Sequence, residues 1–348
     1  MESAIPDPNY RPLAVDGARA FESYELHTPD TWHPHPEMPA DDNLDLDPGC
    51  LQYCLTPEEA SAFDGNGYLL VKEALPPDMV ARLRAAVDRL NRKYRNTIGL
   101  AEHEPLGLRD FIGADKLFLE LLDWPRTFPK VWGILGWHIA LYHTHCNITP
   151  PLPPAPGSAP ANDHACPASS QLGWHQDSGR INIDLEGSPK PRISVKVGYY
   201  LTDCTSSDLG LQLVPGSHRL NTLDQSKDDE EYPAGAVGVP AAAGDAVIFD
   251  RRVFHASPAN HSGSVRMAVF FGYAYRWLRP RDNMTVSHYL AKSGPIRRQL
   301  LGAATTGQGY TSPQDEDVPL KTWLTRHLGE RAVANVDNFE YITPDVKS

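Results

Sequence analysis

The sequence predicts a mainly β protein with flanking helices, built around a jelly-roll core. Short apolar segments separated by turn signals fill residues 171–276, a spacing typical of a sandwich or barrel. The 32 prolines among 348 residues favour long ordered connections over a helical bundle. Helical patterns occur before and after this β-rich stretch, so we expect the two helical ends to brace one sheet from outside.

The first elements follow from local signals. Residues 1–50 are rich in Pro, Asp and His without periodicity and predict an extended N-terminal arm. Thr56 and Glu59 form a capping-box pattern, which predicts a helix that ends near Gly67. A short strand is expected over 68–71, and Pro77 opens a helix with apolar residues at helical spacing. A third helix is expected over 116–122.

The rest of the chain predicts one domain, 51–348, whose jelly-roll core covers about residues 138–276. Strands are expected over 138–147, 172–177, 193–201, 211–214, 246–250, 253–256 and 265–275, and helices over 286–301 and 320–328. A Pro/Ala/Ser-rich loop covers 148–171. Such a loop is usually functional or disordered, so it is either an active-site lid or a disordered insert.

Composition excludes several classes of partner. The net charge of -12 argues against nucleic acid or anionic lipid, because both require a basic face. No run of 18 apolar residues is present, so no membrane span is expected. The N-terminus lacks the basic and apolar regions of a secretory signal, and the five scattered cysteines suit reduced thiols. We therefore expect a cytoplasmic protein that acts on a small molecule; its oligomeric state is left open.

A His-x-Asp pattern is the first candidate for chemistry. His175 and Asp177 lie on an expected strand, where residues two apart share a face. They would supply two-thirds of a 2-His-1-carboxylate site for non-haem Fe(II). The plainer interpretation is a surface strand with two polar residues. His255 follows an apolar segment and is the candidate third ligand, although a lone histidine there is more often a core residue.

An arginine further along strengthens the hypothesis. Arg266 begins an apolar strand, where a charge is costly unless it is paired with an anion. If residues 255 and 266 form one antiparallel hairpin, they lie opposite each other and Ser257 shares their face. Arg266 and Ser257 would then suit the distal carboxylate of a 2-oxo acid whose other end chelates the iron.

Taken together, the motifs resemble the phytanoyl-CoA dioxygenase family of Fe(II)/2-oxoglutarate oxygenases over roughly residues 56–276. The resemblance is carried by Trp174–Asp177, Leu211–Arg219, Gly244–Phe249, His255, Ser257 and Arg266. It implies a double-stranded β-helix in which His175, Asp177 and His255 bind iron. It also implies that Arg266 and Ser257 bind the C5 carboxylate of 2-oxoglutarate, and that His143 and Asn147 line the cosubstrate pocket. Thr149 stands where many members carry lysine.

The resemblance implies O2-dependent hydroxylation of an unactivated C–H bond of a small molecule, lipid-like or a secondary metabolite, with release of succinate and CO2. Asp177 favours oxygenation, because related halogenases carry Gly or Ala at this position. Desaturation, cyclisation or epimerisation would begin in the same way. The alternative is a cupin-like metal-binding isomerase, or a jelly-roll protein that binds a ligand without oxidation. His143-x-His145 is a weaker metal pair, because no Glu follows at cupin spacing.

Overall fold

The computed structural model describes residues 46–152, 173–205, 210–223, 233–334 and 341–344. Almost all of the predicted N-terminal arm and most of the 148–171 loop therefore lie outside the described residues. Within the described ranges, no helix combines the length and apolar character needed to cross a membrane.

The N-terminal elements form as their local signals predict. Helix α1 (Pro57–Asn66) begins at a capping box in which Thr56 Oγ1 and a Glu59 carboxylate oxygen each accept the other residue's amide. Gly67 ends the helix at a φ of +81°, where a Cβ would lie 2.4 Å from Val253 Cγ2. Strand β1 (Tyr68–Val71) and helix α2 (Pro77–Ile98) follow.

Two antiparallel sheets form the jelly roll. The larger contains β1, β2 (Leu106–Arg109), β3 (Ile139–Thr149), β4 (Ser194–Tyr200), β7 (Ala246–Asp250) and β9 (Arg266–Tyr275), in the order β1-β7-β4-β9-β3-β2. The smaller contains β5 (Leu211–Leu213), β6 (Val237–Val239) and β8 (His255–Ala256), in the order β6-β5-β8. The predicted mainly β fold with a jelly-roll core is confirmed.

Helices flank the two sheets, as predicted. They are α3 (Lys116–Leu119), α4 (Phe128–Leu135), α5 (Gly179–Asp184), α6 (Ser287–Leu290), α7 (Pro295–Leu300) and α8 (Pro319–Leu328), in addition to α1 and α2. Helix α4 packs on β4 and β9, and α7 packs on β3. Alternate strand residues such as Val197 and Phe271 are fully buried in this helix-facing core. Their neighbours, Lys196 and Phe270 among them, point to the other face, towards the smaller sheet.

Two strand predictions at the site are wrong in detail. Residues 173–178 do not form a strand: His175 alone pairs, in a single bridge with His255, and Asp177 lies in a turn. The turn arises because Ser178 adopts a φ of +75° and α5 begins at Gly179. The predicted hairpin of residues 255 and 266 is also wrong. β8 pairs with β5, whereas β9 pairs with β3 and β4.

The hairpin fails because residues 257–265 cross from one sheet to the other. Asn260 stabilises the crossing, since its side-chain amide donates to the carbonyl oxygens of Thr149 (2.7 Å) and Ser264 (2.8 Å). Elsewhere, the single helix predicted over 286–301 is divided into α6 and α7 before Pro295. The short elements β2, β6, α4 and α5 were not predicted, because their few residues carry little periodic signal.

Candidate active site

Three metal-ligating side chains meet between the two sheets. One ligand atom from each of His175, Asp177 and His255 lies within 4.8 Å of the others. The imidazole centroids of the two histidines are 4.4 Å apart, and His255 Nε2 lies 3.8 Å from Asp177 Oδ2. His255 is buried, Asp177 is half-buried and His175 is exposed towards the cavity, so the cluster has one open side.

Backbone contacts orient the two imidazoles. The main chains of His175 and His255 exchange two hydrogen bonds of 3.0 Å, which places the side chains next to each other. His175 Nδ1 lies 2.7 Å from the carbonyl oxygen of Gly173, and His255 Nδ1 lies 2.9 Å from that of Val253. If each Nδ1 carries the proton and donates it to this carbonyl, each Nε2 keeps a free lone pair for a metal.

The protonation states also suit a metal. Burial lowers the pKa of His255 to about 4, so this imidazole is neutral at neutral pH. Burial opposes ionisation of Asp177, but Lys196 and His255 outweigh it and hold the pKa of Asp177 well below its usual range. Lys196 Nζ lies 2.6 Å from Asp177 Oδ2. Two imidazoles and one carboxylate are the donor set of the 2-His-1-carboxylate iron sites, so these residues fit Fe(II).

The cluster opens into a cavity of about 600 Å³ that also contains the predicted anchor residues. Arg266, Ser257, His143 and Asn147 all line its wall together with the three candidate ligands. Arg266 begins β9 beside Thr149 of β3, and its guanidinium donates to the carbonyl oxygen of Pro258 at 2.6 Å. The hairpin geometry was wrong, yet the crossing between the sheets still brings Ser257 and Arg266 to one cavity.

His143 is buried in a stack of rings on the cavity side of β3. It lies parallel to His145, with centroids 4.8 Å apart, and His145 lies parallel to Phe270 at 4.3 Å. Gly198 leaves room for this arrangement, because a Cβ there would lie 2.5 Å from the Phe270 ring. Burial and the nearby charge of Lys196 lower the pKa values of His143 and His145 well below the usual range, so both rings are neutral.

Several lining residues were missed by the sequence analysis. Lys196, on β4, has a signal that could have revealed it: like Arg266, it is a charge within an apolar strand. Arg109 and Arg281 also line the cavity, but both lie in short segments without a pattern.

Four other arginines, which could bind an anionic substrate or lie on the solvated surface, have distinct surroundings. Arg252 pairs with buried Asp250 at 2.6 Å, and Arg276 donates to backbone carbonyl oxygens of the C-terminal region. Arg251 is buried and donates to Asn182 and to the carbonyl oxygen of Pro191. These three stabilise the fold, and only Arg180, paired with Asp184, is exposed.

The sequence and the fold are similar to those of known oxygenases. The family model described as Phytanoyl-CoA dioxygenase (PhyH) matches residues 158–268. An uncharacterised protein of Mycobacterium tuberculosis is 28% identical over 266 residues, covering 72% of this chain and 89% of that protein. Ectoine dioxygenase of Nocardia farcinica is 24% identical over 243 residues, covering 61% and 76%.

A solved structure shares the fold. HygX from Streptomyces hygroscopicus, crystallised with nickel and 2-oxoglutarate bound, superposes with a TM-score of 0.50 at 18% sequence identity. The match covers 65% of this chain and 89% of HygX.

Proposed function

We propose that this chain is a member of the phytanoyl-CoA dioxygenase family and that it hydroxylates an unactivated C–H bond of a small molecule. It is an Fe(II)- and 2-oxoglutarate-dependent dioxygenase. Iron with 2-oxoglutarate and O2 supplies an oxidant strong enough to break such a bond, and the coproducts are succinate and CO2. The protein holds and orients the reactants and excludes water.

Each side chain has a role in this proposal. His175, Asp177 and His255 would hold the iron through two nitrogen atoms and one oxygen atom. Arg266 and Ser257 would bind the C5 carboxylate of 2-oxoglutarate, because a planar guanidinium suits a carboxylate in a partly dry site. His143 and Asn147 would line the same pocket, and Lys196 would orient the Asp177 carboxylate through its contact with Oδ2.

One observation carries the proposal. The three candidate ligands lie within 4.8 Å of each other, on the wall of the cavity that Arg266 also lines. A structural histidine pair needs no carboxylate beside it, and a buried structural arginine needs no cavity. The ligand set, the cation and the space occur together, as a metal-chelated dicarboxylate requires.

Succinate release tests the proposal directly. Purified protein is loaded with Fe(II) without oxygen, supplied with 2-oxoglutarate and O2, and assayed with a panel of small metabolites. We expect succinate that requires both Fe(II) and 2-oxoglutarate, and a product heavier by one oxygen atom with the correct substrate. Release no greater than that of the Asp177→Ala protein across the panel would contradict the proposal. A cupin-like isomerase would instead convert its substrate without consuming 2-oxoglutarate or O2.

A further inference from the structure

Two arginines on the cavity wall have no part in the roles assigned above. Arg109 ends β2, and Arg281 follows the end of β9. Both line the 600 Å³ cavity that contains the candidate iron ligands. Within the described parts of the chain, neither guanidinium forms an ion pair or a hydrogen bond with a carboxylate.

The backbone directs both arginines to the same part of the cavity. Arg109 pairs directly with His145 across β2 and β3, and directly opposed residues share a face. The amide of Arg281 donates to the carbonyl oxygen of Tyr142 at 2.9 Å, immediately before His143. The two arginines therefore flank the stacked rings of His143 and His145.

The local charge of this wall is positive. Arg109 and Arg281 are both exposed on this wall; the partial burial of Arg109 lowers its pKa and the neighbouring charge of Arg281 lowers it further, although Asp282 opposes the effect. Asp282 is a weak counter-ion. Its carboxyl accepts hydrogen bonds from the amide and the hydroxyl of Thr144, and burial raises its pKa to about 7. Two like charges near each other, with only a partly ionised carboxyl to offset them, form a site that an anion would stabilise.

The other two described cations on the cavity wall already have a partner or a proposed role. Lys196 pairs with Asp177, and Arg266 is assigned to the C5 carboxylate of 2-oxoglutarate. Of the described cations on the wall, Arg109 and Arg281 are left for the substrate.

We propose that Arg109 and Arg281 bind an anionic group of the substrate, a carboxylate or a phosphate, and so orient the molecule towards His175, Asp177 and His255. The inference rests on the proposed function, which supplies the reaction. The guanidinium groups can each donate two hydrogen bonds to such an anion. Apolar side chains, Phe270 and Phe249 among them, line the rest of the wall. The substrate class is therefore an amphiphilic small molecule with one anionic end.

A pair of fluorescent probes tests the charge preference without knowledge of the substrate. 8-Anilino-1-naphthalenesulfonate and N-phenyl-1-naphthylamine share an aromatic body and differ by one sulfonate. Each is titrated into the protein loaded with Ni(II) and 2-oxoglutarate. We expect the wild-type protein to bind the sulfonate probe at least about tenfold more tightly, in line with two charged hydrogen-bonding partners. The double variant Arg109→Gln/Arg281→Gln should lose that preference.

Arg279→Gln is the matched control. Arg279 is exposed, as Arg109 and Arg281 are, lies two residues from Arg281 and is absent from the cavity wall, and its substitution removes one positive charge, as each single substitution of the pair does. It should keep the wild-type preference, and thermal unfolding should show that all variants are folded. The inference is overturned if wild-type protein shows no preference for the sulfonate, or if the double variant keeps it. Failure of the proposed function is distinct, because it appears as absent succinate in wild-type protein whatever the probes do.

Discussion

The two faces of the six-stranded sheet use the same strands for opposite purposes. On β9, Phe271 points to the helices and contacts Phe111 and Tyr199 edge to face, at 5.7 and 6.0 Å. The next residue along the chain, Phe270, points into the cavity and stacks on His145. Because successive side chains of a strand point to opposite faces, one residue packs in the core and the next faces the cavity. The helix-facing side holds the sheet rigid, so the cavity side can carry buried polar groups at fixed positions.

A substitution in the candidate metal cluster, on the cavity face of the sheet, should cause the largest loss of activity. Asp177→Ala removes the only carboxylate among the three clustered ligands, and we expect it to abolish succinate release. The loss should exceed the roughly 10–100-fold that outer-shell changes cost at metal sites. Stability should also fall, because the substitution leaves the buried ammonium of Lys196 without its partner, and thermal unfolding checks that the variant is folded. The exposed Asp184→Ala is the control, and full activity in Asp177→Ala would refute the ligand assignment.

Truncation of adjacent phenylalanines compares the faces directly. Phe271→Ala should lower the free energy of unfolding by about 3–5 kcal/mol, because it leaves a void in a fully buried core. Phe270→Ala should cost roughly half as much, because its ring already borders an open cavity. It should instead raise the 2-oxoglutarate or substrate KM. Urea unfolding and succinate kinetics on both proteins measure the contrast, and equal losses of stability would contradict it.

A third variant isolates cosubstrate binding on the cavity face. Arg266→Ala should raise the 2-oxoglutarate KM about 10–100-fold, since a charged hydrogen bond is worth about 1.5–3 kcal/mol. The kcat at saturation should fall much less. Steady-state succinate assays over a range of 2-oxoglutarate concentrations separate the two constants, with Arg279→Ala as a control of equal charge. An unchanged KM would remove Arg266 from the cosubstrate site.

The smallest expected effect concerns the pH dependence of stability. Burial raises the pKa of Asp282 to about 7, so the folded state keeps a proton that the unfolded state releases near pH 4. The free energy of unfolding should therefore decrease as pH rises from about 4 to 7 and then level off. Asp282→Asn should remove on the order of 2 kcal/mol of this decrease. Urea unfolding at pH 4.5 and 7.5 checks it, and identical slopes for wild type and variant would contradict it.

The sequence predicts one part of this architecture far better than another. Alternation and turn signals locate β1, β4, β7 and β9 within a residue or two, because each has an apolar face to bury. The residues of the candidate site are also identified, since His-x-Asp and a charged residue in an apolar strand are local features. Local features do not show which strands pair with each other. The bridge between His175 and His255 joins segments about 80 residues apart, and β8 is only two residues long.

The hairpin error shows the same limit. Residues 255 and 266 have the spacing of a hairpin, but Asn260 binds the backbone of both Thr149 and Ser264 and directs the chain to the other sheet. Arg109 and Arg281 were missed for a related reason. Each acquires its surroundings from β3, through the pairing of Arg109 with His145 and the bond from Arg281 to Tyr142.

The reciprocal main-chain bonds between His175 and His255 have a thermodynamic consequence. The segment that contains His175 is attached to β8 through the two residues proposed to bind iron, so separating the two segments would release the ion as well. Ion occupancy should thus slow deuterium uptake at these two amides more than at the helix-covered strands. The candidate metal site would in this way stabilise the edge strand β8 of the smaller sheet.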